Sequence, residues 1–555
     1  MTPFQPYEGH DYIDADGVDA FLDHLADAAP GWVRVEVVGH ARSGRPIRLV
    51  TVAALDGSPA QARPGFWLDG GTHATEWTGV MSCLFTLSRW VRRLLDGDEA
   101  LRAWFRDHTA YVVPCVSPDG LQATVHGTPA FRSTLRPPRA STVRQGFEAW
   151  DLTGDGQVRW MRWQHPAGSW VPVDGHVLAM RPRRVDDDPA DAWFLAPEGR
   201  VVNHDGVRWV EAPLEHGLDL NRNFPVDWSP FSMFGMDAGA FPGSEPESRA
   251  MLDAVAARPN IGAAITNHTF TGCLLAPPGR KDTPLPASDL TVMQRLAHDA
   301  VEGTGYRVFT VYPEFMYDPD KPIIGTWDDT LCVTFGIAAY TLELWDPYAW
   351  AGVAVDKPID MWSDPDPKVM QALVDRAVAD GAYQPWTPYV HPQLGDVEVG
   401  GIDDLRTVRN PPVALLPAEC ERGFTVADRI RRALPRVEAR LEVERDGDLA
   451  VVSLHLENLG ALPTSSLRRA ETIGTAPAMR AELILNEGQV LVHGPSEQAL
   501  DHLDGWFKAG FDRSSLYPSL HTRGHRGVAR WTVRGNGAIS VRWQGGRGGR
   551  GEVSA

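Results

Sequence analysis

The sequence predicts an α/β domain with a largely parallel or mixed sheet, followed by a small all-β domain of sandwich type. Two observations carry this. Up to about residue 382, short β-rich runs alternate with stretches of helical period, the pattern of strands and covering helices in one sheet. Beyond Pro435 only short alternating strands with polar turns remain, which reads as a β-sandwich. A chain of 555 residues is also too long for one ordinary core, so two or more domains are expected.

In order along the chain, residues 17–28 put Val18, Phe21, Leu22 and Leu25 on one helical face. Residues 33–38 and 47–53 are β-rich and joined by a turn-like 41–45, so they read as a hairpin or neighbouring strands. The apolar run Gly65-Phe66-Trp67-Leu68-Asp69 ends in Gly70-Gly71 and opens an amphipathic segment. In that segment Val80, Leu84, Leu87, Val91 and Leu94 repeat at helical spacing, with Gly97 as the C-cap. Residues 111–116 form the next strand, ended by the turn signal Ser117-Pro118-Asp119-Gly120. The stretch 137–215 is rich in Trp, Arg, Asp, Gly and Pro without a sustained helical period, and is expected to be an insertion of short strands and loops.

Regular alternation then returns, with helices expected at 245–257, 289–301 and 367–382 and strands at 261–266 and 336–345. From Tyr383 the proline-bearing text reads as loop until a short helix near 426–433. Strands are expected at 440–444, 450–456, 479–485, 490–493, 527–533 and 538–543. The organisation is therefore a first domain over 1–434 carrying the insertion, a β-sandwich over 435–544, and a disordered Gly/Arg tail over 545–555.

Composition narrows the function classes. Apolar residues make up 43% and charged residues 23%, an ordinary globular balance. The net charge of −19 argues against nucleic-acid or anionic-membrane partners, because neither gains from an acidic protein by counterion release. Cys83, Cys115, Cys273, Cys332 and Cys420 are an odd, scattered set with no C-x-x-C pair, which suits a reducing compartment. The first residues, Met1-Thr2-Pro3-Phe4-Gln5-Pro6, have neither a basic nor an apolar leader segment, and no apolar run would span a bilayer, so a cytoplasmic location is expected.

The chemistry begins at Gly70-Gly71-Thr72-His73-Ala74-Thr75-Glu76-Trp77. A histidine and a glutamate three apart, where a strand gives way to a helix, can turn toward one ion. His-x-x-Glu alone is weak, since about one such pair is expected by chance among 18 histidines. His268 stands in the same kind of place, ending the strand 261–267. A lone strand-end histidine is more often structural, but a third ligand would complete an N, O, N set with an open position, the arrangement of catalytic zinc. Glu343 lies in the otherwise apolar 338–345. Burying it is costly unless it is paired or functional, so it reads as a buried salt bridge or as a general base beside a metal-held water. Asp219-Leu220-Asn221-Arg222-Asn223 sets an arginine between two asparagines, as bidentate carboxylate recognition requires, against the plainer reading of a surface turn.

The ordered set His73-x-x-Glu76, Ser117-Pro118-Asp119-Gly120, Arg132, Asp219-Leu220-Asn221-Arg222-Asn223, His268 and Glu343 resembles the M14 zinc carboxypeptidase family over about residues 8–385. Supporting pieces are Gly39-His40-Ala41-Arg42-Ser43-Gly44-Arg45, Phe241-Pro242-Gly243-Ser244-Glu245 and Gly325-Thr326-Trp327-Asp328. The resemblance implies a mixed, eight-stranded-type sheet flanked by helices and one Zn2+ per chain held by His73, Glu76 and His268. Asp219 would orient His73. Asn221 and Arg222 would hold the substrate's terminal carboxylate, and Arg132 would polarise the scissile carbonyl. Glu343 would take a proton from the water at the zinc and pass it to the leaving amine.

Some positions depart from that pattern. Thr75 stands where the digestive members carry a substrate-binding arginine. Tyr317 is the nearest counterpart of their substrate-capping tyrosine. Trp327 occupies the place of a residue at the base of the specificity pocket, where a large ring would shorten or reshape it. Asp151-Leu152-Thr153-Gly154-Asp155-Gly156 imitates the start of a Ca2+ loop, but Arg162 stands where that loop needs a bidentate Glu, so a plain turn is expected. The insertion's aromatic and charged residues would wall the active-site funnel. The expected activity is removal of a C-terminal residue from a peptide or peptide-like amide. Alternatives are a related deacylase acting on N-acyl amino acids, and a non-catalytic peptide-binding protein.

Overall fold

A computed structural model of the chain describes residues 4–128, 131–138, 140–206, 210–230, 232–233, 236–316, 318, 321–357, 366–507 and 524–555. The first domain is built on β1 (Val33–His40), β2 (Pro46–Val52), β3 (Gly65–Gly70), β4 (Thr109–Val113), β5 (Ile261–Thr269), β6 (Cys273–Ala276), β7 (Arg307–Thr310) and β8 (Ala338–Leu344). They form one eight-stranded sheet in the order β1-β2-β4-β3-β5-β8-β6-β7. The pairs β4–β3, β3–β5, β5–β8 and β6–β7 are parallel, whereas β1–β2, β2–β4 and β8–β6 are antiparallel, so the sheet is mixed.

Residues of β3 and β5 are buried at every position. Both strands are central and covered on both faces, which is why they read as unbroken apolar runs rather than as an alternation. The helix Trp77–Leu95 packs on β3 and β5 and is itself covered by the helix Leu416–Arg432. That second helix is longer than the expected 426–433. Its first turn carries Pro417 where a missing N–H costs nothing, and Gly423 has no Cβ because one there would run into Ser82. A turn was expected at 117–120, yet Ser117 precedes a helix, Pro118–Val125, for the same reason of proline at a first helical position.

The insertion, expected as short strands and loops, and the stretch after Tyr383, expected to be loop, build a second sheet together. Its six strands run in the order Tyr383–His391, Gly395–Ile402, Trp160–Gln164, Trp193–Pro197, Trp170–Val173 and His176–Pro182. Pro385 and Pro388, two of the prolines that suggested a loop, lie on the edge strand, where a missing N–H breaks no ladder. The Asp151 carboxylate accepts from the N–H groups of Gly154 (2.7 Å) and Gly156 (2.8 Å), while Asp155 accepts from Gln157 N–H and pairs with Arg159. These oxygens are spent on the turn itself.

Beyond Val437 lie two four-stranded antiparallel sheets sharing one core that includes Val452, Leu454, Met479, Trp531 and Val541. The residues expected as a disordered tail are instead ordered. Arg550–Ser554 adds an edge strand against Ser540–Gln544, and Gly546 and Gly549 at positive φ (52° and 87°) turn the chain into it. Glycine-rich composition reads as linker, but here it serves a tight turn. Arg547 within that turn is buried and donates to the carbonyls of Phe335, Gly336 and Ser465, tying the sandwich to the first domain. Arg547→Ala strands buried carbonyls and is expected to lower the unfolding free energy by about 3 kcal/mol, read from the urea midpoint. All five cysteines are free and buried. Among the described residues no helix is long and apolar enough to cross a membrane.

Candidate metal centre

The centre forms where β3 and β5 end. After Gly70 the chain turns sharply into the helix Trp77–Leu95, and the two glycines make this possible. Gly71 has φ +73°, and a Cβ on Gly70 would collide with the carbonyl of Gly79. His73 lies in the turn, and Glu76 stands at the residue before the helix, its side chain making no capping hydrogen bond. On β5, Asn267 is in register with Gly70 and His268 with Glu343 of β8. Side chains at one register position of neighbouring strands share a face, so His268 and Glu343 emerge together beside the turn.

The donor atoms converge. His73 Nδ1 is 2.8 Å from Glu76 Oε1, His268 Nδ1 is 2.9 Å from Glu76 Oε2, and the two Nδ1 atoms are 3.1 Å apart. All three residues are buried, and their ligand atoms lie within 4.8 Å of one another. The other nitrogen of His73, Nε2, is 3.0 Å from Asp219 Oδ1, which assigns its proton there and leaves Nδ1 with a lone pair aimed at the cluster. Two ring nitrogens facing each other across a carboxylate cannot all be satisfied by protons. A cation satisfies all three, and an N, O, N set of this kind fits zinc with a position open. Burial alone would raise the pKa of Glu76, but positive charge beside it, as protonated His73 and His268 rings supply, outweighs burial and takes the carboxyl well below its usual range.

Asp219 is fully buried, yet held well below the carboxylate range because Arg132, His73 and Arg222 overcome its desolvation. It accepts from Arg132 Nε at 2.9 Å and from the N–H of Asn221 at 2.9 Å. The Arg132 guanidinium also reaches Glu76 at 3.6 Å, and its backbone is pinned to the metal turn by Ala74 N–H donating to Arg132 O. Asp219→Ala is expected to weaken zinc binding about 10- to 100-fold, as loss of a partner orienting a ligand histidine does; titration against a chelator reads it.

Asn221 and Arg222 occupy the short turn Leu220–Arg222. Asn221 Oδ1 accepts from Trp327 N–H at 2.9 Å, and Arg222 donates to Asn221 O at 2.7 Å. Gly325, at φ +70°, lies against the Arg222 carbonyl where a Cβ would not fit. His73, Glu76, Arg132, Asp219, Asn221, Arg222, His268 and Glu343 all line one cavity of about 660 Å3. Glu343 is half-buried in it. Desolvation first, and the Glu76 carboxylate second, push its pKa well above the usual range, against the pull of Arg132.

Two expected substrate residues fare differently. Trp327 does not line the cavity. Its ring is buried behind it, tilted against Phe224 and donating from Nε1 to Asp69 at 2.9 Å, while Thr326 and Asp328 on either side face inward. A large aromatic ring with one polar atom finds a drier, better-satisfied place in the core than at a pocket floor. Tyr317 lies outside the described residues.

Trp160 of the insertion lines the cavity, in keeping with the expected funnel wall, as does Asp328 of the Gly325–Asp328 motif, whereas Phe270, Tyr348 and Arg409 were not anticipated. Phe270 and Tyr348 follow His268 and Glu343 by two and five positions, so the rule that ligand sites gather at strand C-termini could have found them. Arg409 carried no such signal.

The family model for zinc carboxypeptidases matches residues 18–351, and one for a domain of unknown function, DUF8731, matches residues 437–555. Carboxypeptidase B of Astacus astacus is 30% identical over 22% of this chain and 38% of its own length. Zinc carboxypeptidase A 1 of Anopheles gambiae is 30% identical over 24% of this chain and 28% of its own. The chain thus matches well under half the length of these curated relatives. Thrombin-activatable fibrinolysis inhibitor superposes with a TM-score of 0.46 at 15% identity, over 77% of each chain. With the family model spanning more than half of its residues, the chain belongs to the zinc carboxypeptidase family, M14.

Proposed function

We propose that the protein is a zinc-dependent carboxypeptidase that hydrolyses the last peptide bond of a substrate with a free C-terminal carboxylate. The observation that carries this is the sharing of one cavity by the His73–Glu76–His268 cluster, Glu343, Arg132 and the Asn221–Arg222 turn. His73, Glu76 and His268 would hold the zinc, which would supply a Lewis acid able to make water a nucleophile near neutral pH. Arg222 and the amide of Asn221 bind the terminal carboxylate and set the register of the chain. Arg132, held by Asp219, donates toward the oxygen on which charge develops. Glu343 removes the proton from the attacking water and returns it to the leaving amine.

The test is hydrolysis of a blocked peptide by zinc-loaded protein, with its C-terminus free or amidated. The free acid should be preferred by about 100-fold or more, because an amide cannot make the charge-assisted hydrogen bonds that a carboxylate makes with Arg222. Equal rates on both would remove Asn221 and Arg222 from their role. An N-acyl amino acid also offers a terminal carboxylate, so deacylation is the second reading that the same anchor supports. The five buried free thiols support a reducing compartment, and we take the location to be cytoplasmic.

A further inference from the structure

One wall of the cavity is made by residues outside the stretch 18–351 that defines the family match. It belongs to the segment 403–411, which follows the hairpin completed by Gly395–Ile402. This segment is clamped to the metal turn. Asn410 Nδ2 donates to Thr75 O at 2.8 Å and to Leu405 O at 2.8 Å, and Asn410 Oδ1 accepts from Thr78 N–H at 2.9 Å. Trp160 of the insertion donates to Asp404 at 3.4 Å, joining the wall to the second sheet. Arg409 is thereby carried into the cavity that Thr75 also lines, half-buried, with its guanidinium 5.5 Å above the ring of Phe270. Its charge reaches Glu343 and the Tyr348 hydroxyl, opposing the rise that burial gives both.

The direction of a bound substrate follows from the anchors. With its carboxylate at Arg222 and its scissile carbonyl beside Arg132, the rest of the chain occupies the remainder of the cavity, which Thr75 and Arg409 also line. The Thr75 carbonyl is occupied by Asn410, and the Arg409 guanidinium in the same cavity is a planar donor suited to a carbonyl oxygen. Resting on the carboxypeptidase reading above, we propose that Arg409 binds the amino-terminal side of the substrate, donating to a backbone carbonyl beyond the scissile bond. The substrate class is then peptides, not simple N-acyl amino acids.

The experiment compares kcat/KM for a blocked tripeptide and for an N-acyl amino acid with the same C-terminal residue. The second probe has no carbonyl beyond the scissile one. In zinc-loaded Arg409→Ala the tripeptide-to-acyl ratio should fall by about tenfold or more, as loss of a charged donor to a carbonyl predicts. Arg409→Lys, which keeps the charge and loses the fork, should restore part of the ratio. A ratio within twofold of wild type, or equal losses on both probes, overturns the assignment. Unaltered melting and zinc content show that each variant is folded. Wild-type protein that cleaves neither probe defeats the carboxypeptidase reading itself, a result distinct from an unchanged ratio.

Discussion

Glu343→Gln is expected to keep one zinc per chain and lose about a thousandfold in kcat, within the range for removal of a positioned general base. The residue is not among the three converging ligands, so metal content should not change. What changes is the proton's destination, since an amide at the same place can accept a hydrogen bond but cannot hold a proton and pass it on. A pH profile separates this from a structural effect. Glu343 has its pKa raised, chiefly by burial and then by Glu76. A base must be ionised to act, so activity should fall as pH drops through that pKa. In Glu343→Gln this acid limb should be missing from whatever rate remains. Retention of most of the activity, with the limb in place, would assign the base elsewhere.

His268→Ala carries the second large effect. It removes one nitrogen of the converging set and leaves His73 and Glu76, two ligands where zinc takes three from the protein in catalytic sites. Zinc affinity should fall further than the 10- to 100-fold expected for losing a supporting partner such as Asp219, and turnover with it. The fold should survive, because β5 is held by backbone pairing on both sides and Thr269 N–H still donates to Glu76 at 3.1 Å. Elemental analysis after dialysis reads the result. Full metal content in this variant would mean that another residue is the third ligand.

Much of the site was legible because its parts lie where strands end. A Gly-Gly turn after a buried strand, a histidine ending a second strand and a carboxylate inside a third each break a local rule of composition, and such breaks mark function. The order of the parts then pointed to the zinc carboxypeptidase family. What was not legible depended on contacts between distant segments. Trp327 reads as a pocket residue by position, but its indole N–H is taken by Asp69, far away in sequence. Arg409 reaches the cavity only because Asn410 bonds to Thr75. The hairpin 383–402 looked like loop because edge strands tolerate the prolines that central strands exclude. The glycine-rich C-terminus looked disordered because its turn serves a strand pairing that composition does not reveal.

The most direct test of the central account is hydrolysis of a peptide of known sequence by zinc-loaded protein in heavy-oxygen water, followed by mass spectrometry. The account predicts release of the last residue, unlabelled, and a shortened peptide carrying the heavy oxygen in its new terminal carboxylate. Chelation should stop the release, and zinc should restore it. An intact peptide in the presence of bound zinc, or a cut elsewhere in the chain, would contradict it.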